Sequence, residues 1–563
     1  MIGRSTSAAG LDGLRGLCLS LHYALPDAGT GINPNWPGIG YPGPQALPKP
    51  AAEVERPIAP IVPDEPHLVL TADAVVVGSG AGGGVIAAEL AAAGKQVCVL
   101  EMGGYHDESE FNGLELWAYQ HVFLNGGPFA TAEGQVSIQA GSALGGGTVV
   151  NWTNCLRTTD HVRSEWAEHG LEGIDGPDYD ADMDAVWARL GVTAECSDLN
   201  GPHRLLEKGC EARGLDFRGI TRNTDPATYD PVTAGYLGFG DQSGSKRSTA
   251  KTYLADAAAR GADFLVHCRV ERIIVENGRA AGVEAIYLDP DGRTAAVTVK
   301  APTVVVACGS IESPALLLRS GIGGAAVGDN LRLHPTSVVF GYHEEAQDPW
   351  WGPPQAALSH EYADVEDGYG FLIECAQHTT GLTAAALPWR SGRDHKEGMA
   401  KYPRGAGFVN VTRDRGHGRV TIDGGGRPVL HYPVRDELDI AHLHRGIAEM
   451  ARIMDAGGVE EMQALSRLAP VWRRGDDIEE FIAALGELSI PDREIGLFSA
   501  HQMGSCRMGA DPARSVAGPW GELHDVAGVW IGDASAFPTA SGTNPMFTIM
   551  ALARRTSRAI LAG

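Results

Sequence analysis

Residues 72–101 read ADAVVVGSGAGGGVIAAELAAAGKQVCVLE. The first part, through Val77, is a continuous apolar run of the kind a parallel sheet buries on both faces, and it feeds directly into glycines. GGVIAAELAAAG then predicts a helix closed by Gly94, and KQVCVLE a second strand. Gly78, Gly80 and Gly83 stand at G-x-G-x-x-G spacing. The first turns the chain, the second lets backbone N–H groups approach a pyrophosphate, and the third lets helix pack on strand. Glu101, ending the second strand, is placed to accept from an adenosine ribose hydroxyl. Strand, helix and acidic terminus together predict a dinucleotide site. NAD and FAD share this fingerprint, so the unit alone leaves the cofactor open.

Two later stretches repeat the strand–turn–helix pattern. TVVVACGSIESPALLLRSGIG (303–323) and GVWIGDASAFPTASGTNPMFTIMALARRTSRAIL (528–561) each carry a buried strand into a loop and then a helix. Strands from the beginning, middle and end of the chain should therefore meet in one sheet. The expected fold is α/β: a Rossmann-type nucleotide-binding domain assembled from residues 71–150, 245–335 and 500–563, with a second α+β substrate-binding cap from 151–244 and 336–499. Residues 1–70 remain as a helical piece and an arm. Ten prolines between 34 and 66 predict an extended arm lying on the surface.

A chain of 563 residues holds ample material for a buried cofactor, and 74 glycines suggest many close backbone approaches. The net charge of −25 argues against nucleic acid or an anionic membrane as partner. Nine cysteines, an odd number without framework spacing, suit a reducing compartment, and the N-terminus lacks the apolar core of a secretory signal, so a cytoplasmic location is expected. Residues 74–94 are about long enough to span a bilayer, yet their six glycines and Glu89 fit a nucleotide fold better. No transmembrane segment is expected; peripheral membrane contact stays open.

HQMGSCRMG (501–509) raises a separate question. Metal-binding cysteines usually come in spaced pairs and no C-x-x-C occurs, so no metal is expected. His501 lies five residues from Cys506, just off the i, i+4 face that would pair a thiol with its base. Taken alone, the stretch reads as a buried loop with a satisfied histidine.

From about residue 70 onward, the chain resembles the glucose-methanol-choline oxidoreductases, FAD-dependent enzymes that oxidise alcohols. GSALGGGTVVN (141–151) is similar to the family's first signature, with Ser142 where a basic residue, asparagine or cysteine is usual, and GSIESPALLLRSGIG (309–323) matches the second. VGDNLRLHP (327–335) and GDAS (532–535) are similar to flavin-contacting segments. The resemblance implies FAD contacts at Gly141, Gly145, Gly146, Asn151, Val270, Asp533, Ala534, Asn544, Pro545 and Met546, besides Gly78, Gly80, Gly83 and Glu101. No histidine precedes GSALGGG as in relatives that tether their flavin, which implies non-covalent FAD. HQMGSCRMG and SGTNPMFTIMALARR (541–555) are similar to cholesterol oxidases and long-chain alcohol oxidases, whose sites use a histidine and an asparagine; GFGDQSGSKRSTAKTYLADA (238–257) leans toward the latter.

On that resemblance His501 and Asn544 are the catalytic pair, and Cys506 is a packed small residue. The implied reaction takes an alcohol to an aldehyde or ketone, with hydride passing to flavin N5. His501 serves as base or hydrogen-bond acceptor, and Asn544 holds the oxygen through its amide donor. Oxygen or another acceptor reoxidises the flavin. Asn544 also precedes Pro545 and an apolar run, as an N-cap asparagine before an N1 proline would. His442 and His444 read as helix-face residues, while Trp350, Trp351 and Trp389 sit on loops that either pack or form an entrance. With few charges beside those tryptophans, an apolar substrate is expected: a long-chain, benzylic or cyclic alcohol. A sugar or other polar-alcohol dehydrogenase, a hydroxynitrile-lyase-like use of the scaffold and an NAD enzyme are the competing readings.

Overall fold

A computed structural model describes residues 2–563, with side chains from residue 13 onward. The three separated stretches do converge. Strands β1 (Ala74–Val77), β2 (Val97–Leu100), β3 (Asp263–Leu265), β4 (Thr303–Val306) and β5 (Val529–Ile531) form one sheet in the order β5–β4–β1–β2–β3, with every pairing parallel. All residues of β1 and β2 are buried, as the uninterrupted apolar runs require. The Ala81–Ala92 helix packs against the Met546–Ala562 helix, so the first glycine-loop unit and the C-terminal helix share one layer over the sheet.

A ten-stranded sheet forms the second body. At its centre Thr336–Tyr342 pairs antiparallel with Gly405–Thr412, matching Thr336 to Val411 and Val338 to Val409. Both strands are buried throughout, yet their two faces differ in use. Val339 packs with Met450 and Met454 of the Glu437–Gly457 helix, whereas Val338 and Phe340 turn the other way, toward a cavity. Phe129–Ala130 and Val136–Ile138 also join this sheet, through a parallel pairing of Val136–Ile138 with Leu497–Ser499.

The proline-rich arm runs over the surface for most of its length, with Leu47 and Val62 exposed, but it is anchored: Trp36, Ile39, Tyr41 and Ile58 are buried. Trp36 Nε1–H donates to the Tyr23 carbonyl at 2.7 Å, and the Tyr41 and Tyr236 hydroxyls lie 2.8 Å apart. Prolines keep the segment extended, but the apolar side chains between them have more to gain in the core than in water. Ahead of the arm a helix, Ile2–Ala24, packs against the Thr380–Ala386 helix. Among the described residues no helix is long and apolar enough to cross a membrane.

Candidate active site

One cavity of about 1340 Å³ runs between the parallel sheet and the large sheet. Of the residues singled out in the sequence, Gly78, Gly80, Glu101, Gly141, Gly146, Asn151, Val270, His501, Asp533, Ala534, Asn544, Pro545 and Met546 line it. Gly83 and Gly145 stand behind the lining. A Cβ on Gly83 would overlap the Gly78 carbonyl oxygen, which is the helix-on-strand contact its spacing predicts. Gly145 N–H donates to Ser79 Oγ at 2.9 Å and so ties the second glycine loop to the first.

The two loops touch. Gly146 has φ +53°, and a Cβ there would lie 2.7 Å from Gly80 Cα. The backbone surface this leaves is free of side chains. Beside it the Ala81–Ala92 helix begins on Gly80 with no side-chain cap and no acidic residue in its first turn, so its first N–H groups and positive end are available to an anion. Gly82, which the G-x-G-x-x-G spacing passed over, is as constrained: a Cβ on it would overlap the Gly532 carbonyl oxygen beyond β5.

Glu101 closes β2 with a buried carboxylate. Its Oε2 accepts from Ser79 N–H at 3.1 Å and Ser79 Oγ–H at 2.6 Å, and Oε1 accepts from Gly103 N–H at 2.9 Å. Burial pushes its carboxyl above the ordinary range, while the bonds from Ser79 and Gly103 pull the other way. Oε1 keeps a lone pair for a hydroxyl. A buried anion-binding helix start, a glycine cradle and this acceptor fit a dinucleotide. Asp533 is more fully occupied: Oδ2 accepts from Gly309 N–H and Ser313 Oγ–H, and Oδ1 from Ser535 N–H, so it fastens the Gly309–Ser320 helix to the loop after β5. Asn151 Nδ2 approaches Met546 Sδ at 2.8 Å, joining two residues nearly 400 positions apart.

At the other side of the cavity His501 follows the Leu497–Ser499 strand, and Asn544 lies two residues before the Met546–Ala562 helix. His501 N–H donates to Ser499 Oγ at 3.0 Å, and its Nδ1 lies 3.3 Å from Nδ1 of His334. Burial, and secondarily His334, bring His501 down to about 3 against an opposing pull from Asp414, so the imidazole is neutral. Asn544 makes no capping bond; Pro545 occupies the cap position. The N-cap role suggested by the sequence is therefore absent, because the Asn544 amide is turned to Glu374, with Nδ2 donating to Oε2 at 3.4 Å. Glu374 is fully buried, also accepts from Gln355 Nε2, and leaves Oε1 unpaired. Burial raises its carboxyl to about 7, opposed by Asn544 and by Arg222.

Cys506 is buried and its thiol is pushed well above the ordinary range by that burial, which suits a packing residue. The tryptophan loops divide. Trp389 lines the cavity beneath the Arg15 guanidinium, 5.3 Å from the ring centroid. Trp350 instead stacks on Tyr402 and meets Tyr41 of the arm edge-on. His334, Glu374 and Gln355 had not been singled out. Nor had the N-terminal helix, whose Leu17, Leu19 and Leu21 line the cavity.

Residues 119–336 and 414–553, more than half of the chain, match the two models described as GMC oxidoreductase. The chain belongs to the GMC oxidoreductase family. It is similar to the Arabidopsis thaliana long-chain-alcohol oxidases FAO4A, at 34% identity over 87% of this chain and 68% of that protein, and FAO3, at 34% over 85% and 66%. The chain thus spans about two thirds of the length of those relatives. It is 28% identical to the 2-methyl-1,2-propanediol dehydrogenase of Mycolicibacterium austroafricanum over 86% of this chain and 94% of that one. Pyridoxine 4-oxidase from Mesorbium loti shares the fold with a TM-score of 0.64 at 17% identity, covering 87% of this chain and 99% of that one. Formate oxidase does so with a TM-score of 0.65 at 15% identity, covering 88% and 98%. The chain is thus an FAD-dependent oxidoreductase of the class that acts on alcohols.

Proposed function

We propose that this enzyme oxidises an apolar alcohol, with a long hydrocarbon chain as the best occupant. The observation that carries the reading is the wall leading away from His501. Thr336 is paired with Phe498, which stands three positions before His501 in sequence. From there Thr336, Val338 and Phe340 present one face of a strand to the cavity, alongside Val409 and Val411 of its neighbour. At about 3.3 Å per residue, the four steps from Thr336 to Phe340 give roughly 13 Å of nearly unbroken apolar surface. Leu382 and Leu387, from the Thr380–Ala386 helix and just after it, continue the lining toward the N-terminal helix. A sugar site needs polar groups aimed at several hydroxyls, and this strand face has none beyond Thr336. The similarity to long-chain-alcohol oxidases points the same way.

In this reading the glycine loops, the Ala81–Ala92 helix start and Glu101 hold the dinucleotide, while Asn151, Pro545 and Met546 border its reactive end. FAD supplies the hydride acceptor. It is held non-covalently: residues 136–151 contain no histidine, cysteine or tyrosine to form a tether. Denaturation in acid should release all of the yellow colour into the supernatant. His501 and Asn544 meet the alcohol oxygen, placing the α-carbon for transfer. A neutral His501 can either accept or donate there, and the partner on its far side decides which.

The test is anaerobic bleaching of the flavin by hexanol, decanol, a benzylic alcohol, a sterol and glucose at matched concentrations. Each buried methylene adds about 0.8 kcal/mol at most, so kcat/KM should rise severalfold per CH₂ until the wall is covered. Fastest bleaching by glucose, or indifference to chain length, would remove the apolar-alcohol reading.

A further inference from the structure

His334 stands next to last in the segment VGDNLRLHP, is almost wholly buried, and holds φ +49°, in the left-handed region that a non-glycine residue occupies only when its surroundings fix it. The fixing group is Asp414, whose carboxylate accepts from the N–H groups of Leu333 and His334 at 2.9 and 3.0 Å and from the Tyr432 hydroxyl at 2.6 Å. The ring so placed bridges the two segments that carry the catalytic candidates. Nε2 lies 3.1 Å from Gly542 N, in the loop before Asn544, and Nδ1 lies 3.3 Å from His501 Nδ1, with the ring planes at 86°.

These contacts leave one arrangement of protons. A backbone N–H can only donate, so Nε2 of His334 is an acceptor. Burial and Arg413 bring His334 down to about 3, so the ring is neutral and its single proton sits on Nδ1. That N–H points to His501 Nδ1, which must accept. His501, also neutral, then carries its proton on Nε2, which has no hydrogen-bond partner among the described residues, in the wall His501 gives to the cavity.

We propose that His334 is a positioning residue that fixes the proton of His501 on Nε2, so that the histidine meets the substrate oxygen as a hydrogen-bond donor. This reverses the polarity expected from the sequence. Nδ2 of Asn544 has a second hydrogen beyond the one given to Glu374, so the pair can offer two donors to one oxygen, the arrangement that stabilises alkoxide or carbonyl character, while the hydroxyl proton of the alcohol leaves to water and not to His501. For His501 to accept a proton at Nε2 it would first have to move its own to Nδ1, where His334 already presents one. The inference rests on His501 being the group that faces substrate; the tautomer itself can be read without turnover.

The experiment uses holoenzyme labelled with ¹⁵N-histidine. His501 resonances are identified by their loss in His501→Asn. Between pH 6 and 8 a pyridine-type Nδ1 and a pyrrole-type Nε2 are expected, and the opposite tautomer would overturn the proposal. The second arm compares His334→Leu, which has neither donor nor acceptor, with His334→Gln, which has both. Binding of a long-chain aldehyde, an oxygen acceptor without a hydroxyl proton, is followed by the flavin spectrum. Affinity should fall roughly tenfold in the leucine variant and recover in large part in the glutamine variant, as for loss and partial return of one hydrogen bond. Equal affinity in all three proteins would remove His334 from the role. Should the leucine variant fail to fold, the wild-type tautomer still decides.

Discussion

At the scale of single residues, the two histidines at one end of the cavity are kept uncharged. His501 and His334 are both brought down to about 3, chiefly by burial. Neither imidazole should gain charge between pH 5 and 8, so the rate of flavin reduction by alcohol should show no acidic limb near 6.5. A limb there that disappears in His501→Gln would contradict this. His501→Ala should slow reduction by roughly 10²- to 10⁴-fold with FAD content unchanged. Glu374 behaves differently. Its folded value of about 7 lies above the ordinary carboxyl value of 4.5, so below 4.5 both folded and unfolded chains hold the proton and no stability is lost. As pH rises, the unfolded chain ionises first, and the penalty grows until it is complete above about 7, where it reaches about 3 kcal/mol. Glu374→Gln should therefore unfold at higher denaturant than wild type at pH 8 and at about the same concentration at pH 4. A gain at pH 4 as large as at pH 8 would show that packing, not proton linkage, is responsible. His501 could be picked out as a catalytic candidate only through family resemblance, since spacing alone left it a satisfied loop residue. His334 lies in VGDNLRLHP, which the sequence marks only as a segment, and Glu374 gave no local signal: what each side chain does comes from partners 167 and 170 positions away.

At the scale of elements, legibility followed how local the forces are. The β1 strand, the Ala81–Ala92 helix and β2 could be read directly because burial on both faces and tight glycine contacts leave their mark in consecutive residues. The arm was legible as an extended surface segment but its anchors were not, because proline content describes backbone shape and says nothing of what the intervening aromatics find to pack against. Trp36 tests that anchoring. Its side chain is 4% exposed and its indole N–H is spent on Tyr23 at the end of the N-terminal helix. Trp36→Ala should cost about 3–5 kcal/mol, the usual range for emptying such a site, and loosen that helix. If chemical denaturation shows a loss under 1 kcal/mol, the arm is an accessory strap. The N-terminal helix itself could be seen as a helix, but not as a wall of the site, because its partner, Thr380–Ala386, is some 360 residues away.

At the scale of the whole molecule, the parallel sheet contains no two adjacent strands joined by a short connection except β1 and β2. Its run from one edge to the centre, β5–β4–β1, takes strands beginning at residues 529, 303 and 74, so closing it requires most of the chain to be in place. This convergence was readable because each strand carries its own apolar run and glycine turn. The large sheet was not, because its strands are short or joined over long separations, and Val136–Ile138 meets Leu497–Ser499 only after about 360 residues. The cavity is lined from all of these pieces, with Gly80, Gly146, Val270, Gly309, Asp533 and Met546 converging on it. A cofactor that binds only where they converge must stabilise the assembled state and leave the unfolded chain unaffected. Linkage then gives about 2.7 kcal/mol at a free FAD concentration one hundred times Kd, rising by about 1.4 kcal/mol for each further tenfold. Protein stripped of FAD should therefore unfold at a lower temperature than holoenzyme, and its midpoint should climb with added FAD but not with added NAD. The measurement is thermal unfolding followed by circular dichroism across an FAD titration. A midpoint indifferent to FAD would mean that the separated strands assemble around something other than the dinucleotide.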